Sequence, residues 1–342
     1  MPTEPLNFCR MSQQEQLAYS TILRSLSAFA DTIDISSVDK RVDVNKIFKA
    51  LIDDNPQFFY FDKSKITTLA SSSKRHLKLS SCIKKPEAMK MLNELNTITN
   101  PLIETAMKRS RDSYERLLYV YEHLQKHIAY DEAELKAAAK GKSLHQNAHN
   151  MYGALVERKA VCDGFAAAFQ YMAQNMGYRC VTVSGTSDHS AYGNIAHSWN
   201  IIELGGKYYH LDLTWDANHY AENHAYSYDW FLLDDENALA DHNWDVSSTP
   251  IATDASLMWH ELSGLVANNE SEIVEIFTKA VRKPVSPIYI RCTKNIWSAR
   301  PIGEYLAQLL IDTALRCRSK VEIEYSWNEK TNCFFGRFAK LG

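Results

Sequence analysis

Residues 161–185 read VCDGFAAAFQYMAQNMGYRCVTVSG, and residues 196–216 read AHSWNIIELGGKYYHLDLTWD. In the first stretch, apolar side chains recur at helical spacing after Cys162, and Gly177 stands where a left-handed C-terminal cap is expected. The remaining sequence is rich in β-branched and aromatic residues, which is typical of strands. Strands are expected over residues 178–185, 196–204 and 207–215. Together, the two stretches predict a helix that begins at the cysteine and is followed by strands.

A glycine pair sets the register of the last two strands. Gly205-Gly206 predicts a two-residue hairpin turn between them. The side chains that antiparallel pairing then places on one sheet face are those of His197, Trp199, Asp212 and Thr214. His197 and Asp212 become diagonal neighbours with Cα atoms roughly 7–8 Å apart, a gap that their side chains can bridge. The register therefore predicts a contact between an imidazole and a carboxylate.

A thiol, an imidazole and a carboxylate are the groups of a nucleophilic triad. The positive end of a helix dipole and a nearby imidazolium both favour the thiolate of Cys162, which is the nucleophilic form. His197 would then act as general acid and base, and Asp212 would fix the imidazole tautomer. Each residue alone also has a structural explanation, as a packed thiol, a strand histidine or a turn-capping carboxylate. The hairpin register is the feature that links two of the three.

Three motifs in this order resemble the core of the transglutaminase-like superfamily. The Val-Cys-Asp-Gly-aromatic-Ala run of that family is matched by residues 161–166. Its His-x-Trp-Asn strand is matched by residues 197–200, and its Asp-x-Thr-Trp-Asp segment by residues 212–216. The resemblance covers roughly residues 110–250, because YDWFLLDDENALADHNW, residues 228–244, is similar to the segment that follows the triad in the family.

The resemblance implies an α+β fold with a papain-like core, in which a helix bearing the nucleophile packs on an antiparallel sheet. It also implies Cys162, His197 and Asp212 as catalytic residues of thiol-dependent acyl transfer on peptide or carboxamide substrates. We expect hydrolysis, as in a cysteine peptidase or amidase. Protein-glutamine transamidation by a transglutaminase is one alternative, and a non-catalytic binding or scaffold module that retains the fold is another.

An oxyanion hole for this chemistry needs two donors. The backbone N–H of Cys162 is a natural first donor, because it lies in the first turn of the predicted helix. The candidates for the second donor are Gln146, Asn147 and Tyr152. The sequence does not distinguish among these three.

The sequence on either side of the motifs divides the chain into three regions. Residues 1–109 are expected to form a mainly helical region, with short strands at the aromatic run 58–61 and at residues 76–79. Residues 110–250 would be the transglutaminase-like catalytic core. Residues 251–342 would form a small α/β region that carries no chemical motif of its own.

Composition excludes several classes of protein and partner. Among 342 residues, 38 Lys and Arg against 41 Asp and Glu give a net charge of −3, so the chain lacks the basic footprint of a nucleic-acid binder. No run approaches about 18 apolar residues and no signal peptide is seen, which predicts a cytoplasmic protein without a membrane span. The expected partner is a peptide or protein substrate. The sequence gives no indication of oligomeric state.

Neither the cysteines nor the histidines predict a metal site or a cofactor. The seven cysteines are scattered and never spaced as CxxC, so a disulfide scaffold and a multi-cysteine zinc site lose support. His210, His219 and His224 cluster after the hairpin, but no HExxH pattern accompanies them. We therefore expect these three histidines at the surface, with no metal and no cofactor in the site.

Overall fold

The computed structural model describes residues 4–30, 32–70, 74–189, 193–283, 287–293 and 301–341. The fold is α+β, as predicted, and its central part carries a helix packed on an antiparallel sheet. Among the described residues, no helix combines the length and the apolarity that crossing a bilayer requires.

The first hydrophobic cluster lies between helices and a small antiparallel sheet. Its helices are α1 (Leu6–Cys9), α2 (Gln13–Ser27), α3 (Val44–Asp54) and α4 (Lys85–Arg109), and its strands are β1 (Thr32–Asp34), β2 (Phe61–Ala70) and β3 (Arg75–Ser81), in the order β1-β3-β2. The strand predicted at residues 58–61 begins only at Phe61. Pro56 starts a 3-10 turn that ends at Phe58, and this turn buries the Phe58 ring instead of extending it along a strand.

The second cluster surrounds the predicted catalytic helix. The helices of this central part of the chain are α5 (Ser113–His127), α6 (Glu132–Ala138), α7 (Cys162–Asn175), α8 (Leu213–Asn223) and α9 (Asp235–Ala238). The strands of this part are β4 (Ala129–Tyr130), β5 (Lys159–Ala160), β6 (Cys180–His189), β7 (Gly193–Leu204), β8 (Lys207–Leu211) and β9 (His242–Asn243). The four-stranded sheet has the order β8-β7-β6-β9 and is antiparallel throughout. Helix α7 is fixed on β7 by the Asn200 amide, which donates to the Ala166 carbonyl at 3.0 Å.

The hairpin register is confirmed, whereas the predicted length of its second strand is wrong. Leu204 pairs with Lys207, and the pairing continues to Asn200 and Leu211. Gly205 and Gly206 have φ of 59° and 80°, the positive values that such a turn requires. The strand ends at Leu211 and does not continue to residue 215.

A capping interaction explains this early end. The Asp212 carboxylate accepts the Thr214 N–H at 2.9 Å and so caps the N-terminus of α8. Thr214 and Trp215 therefore lie in a helix instead of on the sheet face where the hairpin pattern placed Thr214.

The third cluster belongs to the C-terminal region. Its helices are α10 (Trp259–Ser263), α11 (Glu270–Arg282) and α12 (Ile302–Arg316), and its strands are β10 (Val266–Ala267), β11 (Ile288–Cys292), β12 (Lys320–Asn328) and β13 (Cys333–Leu341). The sheet order is β10-β11-β13-β12, with a parallel β10–β11 pair and antiparallel pairs elsewhere. Helix α4 contributes Ala88 to the first cluster but Leu95 and Ala106 to the second. The domain boundaries after residues 109 and 250 stay predictions.

Candidate active site

Cys162 is the first residue of helix α7, as the sequence predicts. The preceding Val161 is extended, and its N–H donates to the Ala148 carbonyl at 3.0 Å. A Cβ at Gly164 would lie 2.4 Å from the same carbonyl oxygen, so only glycine allows the helix to start this close to the segment that carries Ala148. The Cys162 thiol is partly exposed at the N-terminal end of the helix.

The side chains of His197 and Asp212 are in direct contact. The Nε2 atom of His197 lies 2.6 Å from Oδ2 of Asp212, and the two residues are only 5% and 2% exposed. The Tyr121 hydroxyl donates to the Asp212 carbonyl at 3.0 Å, which fixes the backbone beneath the carboxylate. The Cys162 side chain acts on the same imidazole, since it is among the groups that raise the pKa of His197. Because Asp212 occupies Nε2, Nδ1 is the ring nitrogen available to the thiol.

The charges of this group stabilise one another. Burial opposes protonation of His197, but the charge and the hydrogen bond of Asp212 outweigh it and raise the pKa of His197 to about 9. Burial also acts to raise the pKa of Asp212, yet the charge of His197 and the hydrogen bonds from the two histidines in contact hold it well below its usual range. At neutral pH the two side chains therefore form an imidazolium–carboxylate pair.

Two tryptophans flank the imidazole of His197. Trp199 is 1% exposed, and its ring lies 6.1 Å from the imidazole. The ordinary role for Trp215 would be packing of the hairpin. Its ring instead stacks on the imidazole of His197, with the two centroids 5.4 Å apart and an interplanar angle of 27°. It reaches this position from the first turn of α8, where the hairpin pattern does not place it. The two indoles hold the plane of the imidazole.

The expectation that three histidines lie at the surface is wrong for two of them. His210 is buried, accepts from Trp199 Nε1 at 3.0 Å and contacts Asp235 at 2.8 Å. His219 is half-buried, and only His224 is exposed. Successive side chains of β8 face opposite sides of the sheet, and His210 lies on the side where the Trp199 indole and the Asp235 carboxylate of α9 satisfy both of its nitrogens.

His242 is a residue of the site that the sequence motifs did not single out. Its Nε2 lies 3.2 Å from Oδ2 of Asp212, and its Nδ1 lies 2.5 Å from Oδ1 of Asp241. It arrives on β9, which pairs with β6 through Ser187. The only sequence signal is its place in the DHNW end of the segment 228–244, which resembles the family but gives no register for this strand.

Within the described part of the chain, two groups of buried side chains bring potential metal-binding atoms within 4.8 Å of one another. The first is His197, Asp212 and His242; the second is Asp229, His260 and Cys333. In the first group, hydrogen bonds of 2.6 and 3.2 Å already join the side chains, and an ion would have to replace both. In the second, Asp229 accepts the Thr331 hydroxyl at 3.1 Å and so ties the core to the C-terminal region.

A cleft of about 650 Å³ lies beside the residues that follow Cys162 and His197 in sequence. Asp163 and Ser198 line it and are joined by a 2.7 Å hydrogen bond from the serine hydroxyl. His149 bridges Asp163 and Glu134 at 3.2 and 3.1 Å, and the hydrogen bond to Asp163 is the main cause of its raised pKa. The cleft therefore presents polar and charged groups on residues that adjoin Cys162 and His197 in sequence.

The structure separates the three candidate oxyanion donors. Asn147 donates its amide to Glu157 at 2.7 Å, and the Tyr152 hydroxyl donates to Glu94. Gln146 lines the cleft beside Asp163. Of the three, Gln146 is the side chain positioned to reach a group bound in the cleft.

Comparison with known proteins identifies the family of the central segment. Residues 101–213 match the model of the transglutaminase-like superfamily. Kyphoscoliosis peptidase of Mus musculus is 27% identical over 168 residues, which cover 44% of this chain and 24% of the mouse protein. The Homo sapiens protein of the same name is 29% identical over 123 residues, covering 34% of this chain and 18% of its own length. The chain thus spans about a quarter or less of these relatives.

A solved structure described as a TGase shares 12% identity with this chain, at a TM-score of 0.33, and the match covers 52% of this chain and 49% of that one. The family match ends at residue 213 and includes Cys162, His197 and Asp212. The segment over residues 101–213 therefore belongs to the transglutaminase-like superfamily.

Proposed function

We propose that this protein hydrolyses peptide or carboxamide bonds through Cys162, His197 and Asp212, as a cysteine peptidase or amidase. The observation that carries the proposal is the position of one imidazole. His197 is bonded to Asp212 at 2.6 Å, and the Cys162 thiol at the start of α7 is among the groups that raise the pKa of His197. A nucleophile, a general acid and base, and an orienting carboxylate are the parts that acyl transfer requires. The peptidase names of the curated relatives support a peptide substrate.

The first half of the reaction forms a thioester. The Cys162 thiolate attacks the carbonyl carbon, and the electron pair of the C=O bond moves to oxygen. The resulting oxyanion is stabilised by the Cys162 backbone N–H, which has no acceptor in the first helical turn, together with the Gln146 amide. When the C–N bond breaks, the proton on Nδ1 of His197 passes to the departing amine. The imidazole is then neutral, and Asp212 holds its remaining N–H.

The second half returns the enzyme to its resting state. Neutral His197 removes a proton from a water molecule, whose oxygen attacks the thioester carbonyl. The tetrahedral intermediate collapses with loss of the Cys162 thiolate, and the carboxylic acid product leaves. His197 again carries both protons and pairs with the thiolate. A primary amine in place of water would give a new amide, which is the transamidase reaction.

The cleft lined by Asp163 and Ser198 suits an extended peptide. Its walls offer the Gln146 amide and the Ser198 hydroxyl next to the Asp163 carboxylate, groups that hydrogen-bond a peptide backbone. The indole of Trp215 stacks on the imidazole of His197, which is only 5% exposed, so the access of water to the imidazole is limited.

A peptide-library digestion followed by mass spectrometry tests the proposal. The protein is incubated with a mixture of peptides and carboxamides, with and without an added primary amine, and Cys162→Ser serves as the matched control. We expect cleavage products that carry a new carboxylate in both conditions and none with Cys162→Ser. Products that carry the added amine would establish transamidation instead. Absence of any product, together with an unreactive Cys162 toward a thiol probe, would support the binding-module alternative.

A further inference from the structure

His242 makes contacts on both ring nitrogens that define its protonation state. Nε2 faces Oδ2 of Asp212 at 3.2 Å, and Nδ1 faces Oδ1 of Asp241 at 2.5 Å. A neutral imidazole carries a proton on only one nitrogen, so one of these contacts would set two lone pairs against each other. With both carboxylates ionised, both contacts are hydrogen bonds only when His242 is an imidazolium, a buried cation between two anionic partners.

The surrounding structure holds this arrangement in place. The other carboxylate oxygen of Asp241 accepts the Trp230 indole N–H at 2.9 Å, which fixes the carboxylate. A Cβ at Gly185 would lie 2.3 Å from the Asn243 carbonyl oxygen, so glycine is required for β9 to approach β6 and bring His242 to the site. Gly185 pairs with His197 in the β6–β7 ladder. The close approach of β9 to β6 at Gly185 therefore brings His242 near the position that pairs with His197.

We propose that His242 is a positioning residue of the active site: held as an imidazolium between Asp212 and Asp241, it shares the Asp212 carboxylate with His197 and so fixes that carboxylate and tunes the proton affinity of the catalytic imidazole. This inference rests on the proposed function. His197 and His242 both bond to Oδ2 of Asp212, and their rings lie 5.5 Å apart. The second cation keeps Asp212 ionised even after His197 gives up its proton.

The consequence for catalysis is a better general acid. With Asp212 as its one charged partner, the imidazole of His197 would hold its proton tightly, whereas the leaving amine must take that proton in each cycle. A positive charge near 5.5 Å disfavours protonation of His197 by about 0.5 to 2 pH units, depending on the effective dielectric. The environment also raises the pKa of His242 to about 9, in spite of burial, through its bonds to Asp212 and Asp241.

The other charged groups that face the two imidazoles are few among the described residues. The Cys162 thiol faces His197, and the two carboxylates are those already named. His210, the neighbouring imidazole across Trp199, has a pKa lowered by burial and is neutral. Replacement of His242 therefore changes one charge next to His197 and leaves the others in place.

The test measures the pH dependence of Cys162 alkylation by iodoacetate, an anionic reagent that favours a thiolate paired with an imidazolium. The wild-type protein is compared with His242→Gln and with Asp241→Asn, which removes the carboxylate that keeps the proton on His242. His260→Gln is the matched control, because His260 is equally buried and lies near Asp229, away from Asp212. The assay needs no knowledge of the substrate.

We expect a bell-shaped profile for the wild type and for His260→Gln. In His242→Gln the alkaline midpoint, where His197 loses its proton, should rise by about one pH unit, and in Asp241→Asn it should rise by a smaller amount. Should His242→Gln fail to fold, Asp241→Asn still gives the result, and ¹⁵N-histidine spectra of the wild type at pH 7 should show two N–H groups on His242.

The outcomes separate the inference from the function on which it rests. Unchanged midpoints in both variants, or a single N–H on His242, would overturn the role of His242 while leaving the triad intact. A wild-type Cys162 that alkylates no faster than an ordinary thiol, with no bell, would overturn both. His242→Gln and His260→Gln could lose thermal stability equally while the alkaline midpoint of alkylation does not shift. That result would show that His242 has only a structural role.

Discussion

Replacement of Asp212 by Asn removes one negative charge from the centre of the site and changes little else. The side chain is 2% exposed and keeps its shape, and the amide oxygen can still accept the Thr214 N–H that caps α8. What is lost is the carboxylate that faces Nε2 of His197 at 2.6 Å and Nε2 of His242 at 3.2 Å. The fold should persist, and the effect on the reaction should come through the imidazole of His197.

The size of the effect follows from the distance between the charges. With the two charges about 4 Å apart and an effective dielectric constant of about 20, the lost interaction is roughly 4 kcal/mol, or about 3 units in the pKa of His197. Its pKa would fall from about 9 to near 6. The amide also favours the tautomer with the wrong nitrogen protonated, and in serine-protease triads the same change lowers turnover by about 10⁴-fold.

The assay is turnover of the best peptide from the library digestion, with circular dichroism as the check on folding. We expect kcat to fall by between 10² and 10⁴, estimated roughly from the triad precedent, while the spectrum is unchanged. The half-maximal pH for reaction should also move down. Full turnover by a folded Asp212→Asn protein would remove Asp212 from the mechanism and refute the electrostatic reasoning.

Three further predictions concern the hairpin, the support beneath the site and the pH dependence of stability. Replacing Gly205 and Gly206 with valine should shift the hairpin register and abolish turnover, because both positions have positive φ; an active variant would show that this turn does not set the register. Tyr121→Phe should lower the free energy of unfolding by about 2 kcal/mol in urea titrations, since the buried Asp216 side chain loses its 2.6 Å hydrogen-bond partner and the Asp212 carbonyl loses a donor; no change would show that water replaces the hydroxyl. The pKa values of His197 and His242 are both raised on folding from 6.5 to about 9, so their stabilisation is complete below pH 6.5 and is lost as the pH rises through 9. Urea unfolding should show a loss on the order of 3 kcal/mol from His197 across this window, and a folded His197→Gln protein should show only the part of the loss that belongs to His242.

The local parts of the site could be predicted from the sequence. A glycine pair fixes a two-residue turn, and alternation along the strands then determines which side chains meet, so the contact between His197 and Asp212 follows from short-range rules. The start of α7 at Cys162 follows from helical spacing in the same way. What these rules missed was the competition for Asp212, whose carboxylate also caps α8 and thereby ends the strand.

The parts that depend on distant pairing could not be predicted. His242 reaches Asp212 because the two-residue strand β9 pairs with β6 more than 50 positions earlier, and a strand this short has no periodicity of its own. His210 looked like a surface histidine because its two partners, Trp199 and Asp235, come from different elements. Side chains satisfied by tertiary contacts carry no local signal.

The central claim is that His197 activates Cys162, and competitive alkylation tests it most directly. Brief treatment with iodoacetamide at about pH 6, followed by peptide mass mapping, compares Cys162 with the six other cysteines in one sample. Three of those, Cys180, Cys292 and Cys333, are buried, and burial raises their pKa. The remaining three are Cys9, Cys82 and Cys317, of which the first two are exposed controls.

Cys162 should label first in the wild-type protein, because at this pH only a thiol paired with an imidazolium carries much thiolate. In His197→Ala its rate should fall to that of the exposed Cys9 and Cys82, while their own rates stay the same. Faster labelling of another cysteine in the folded protein, or an unchanged rate for Cys162 without His197, would contradict the account.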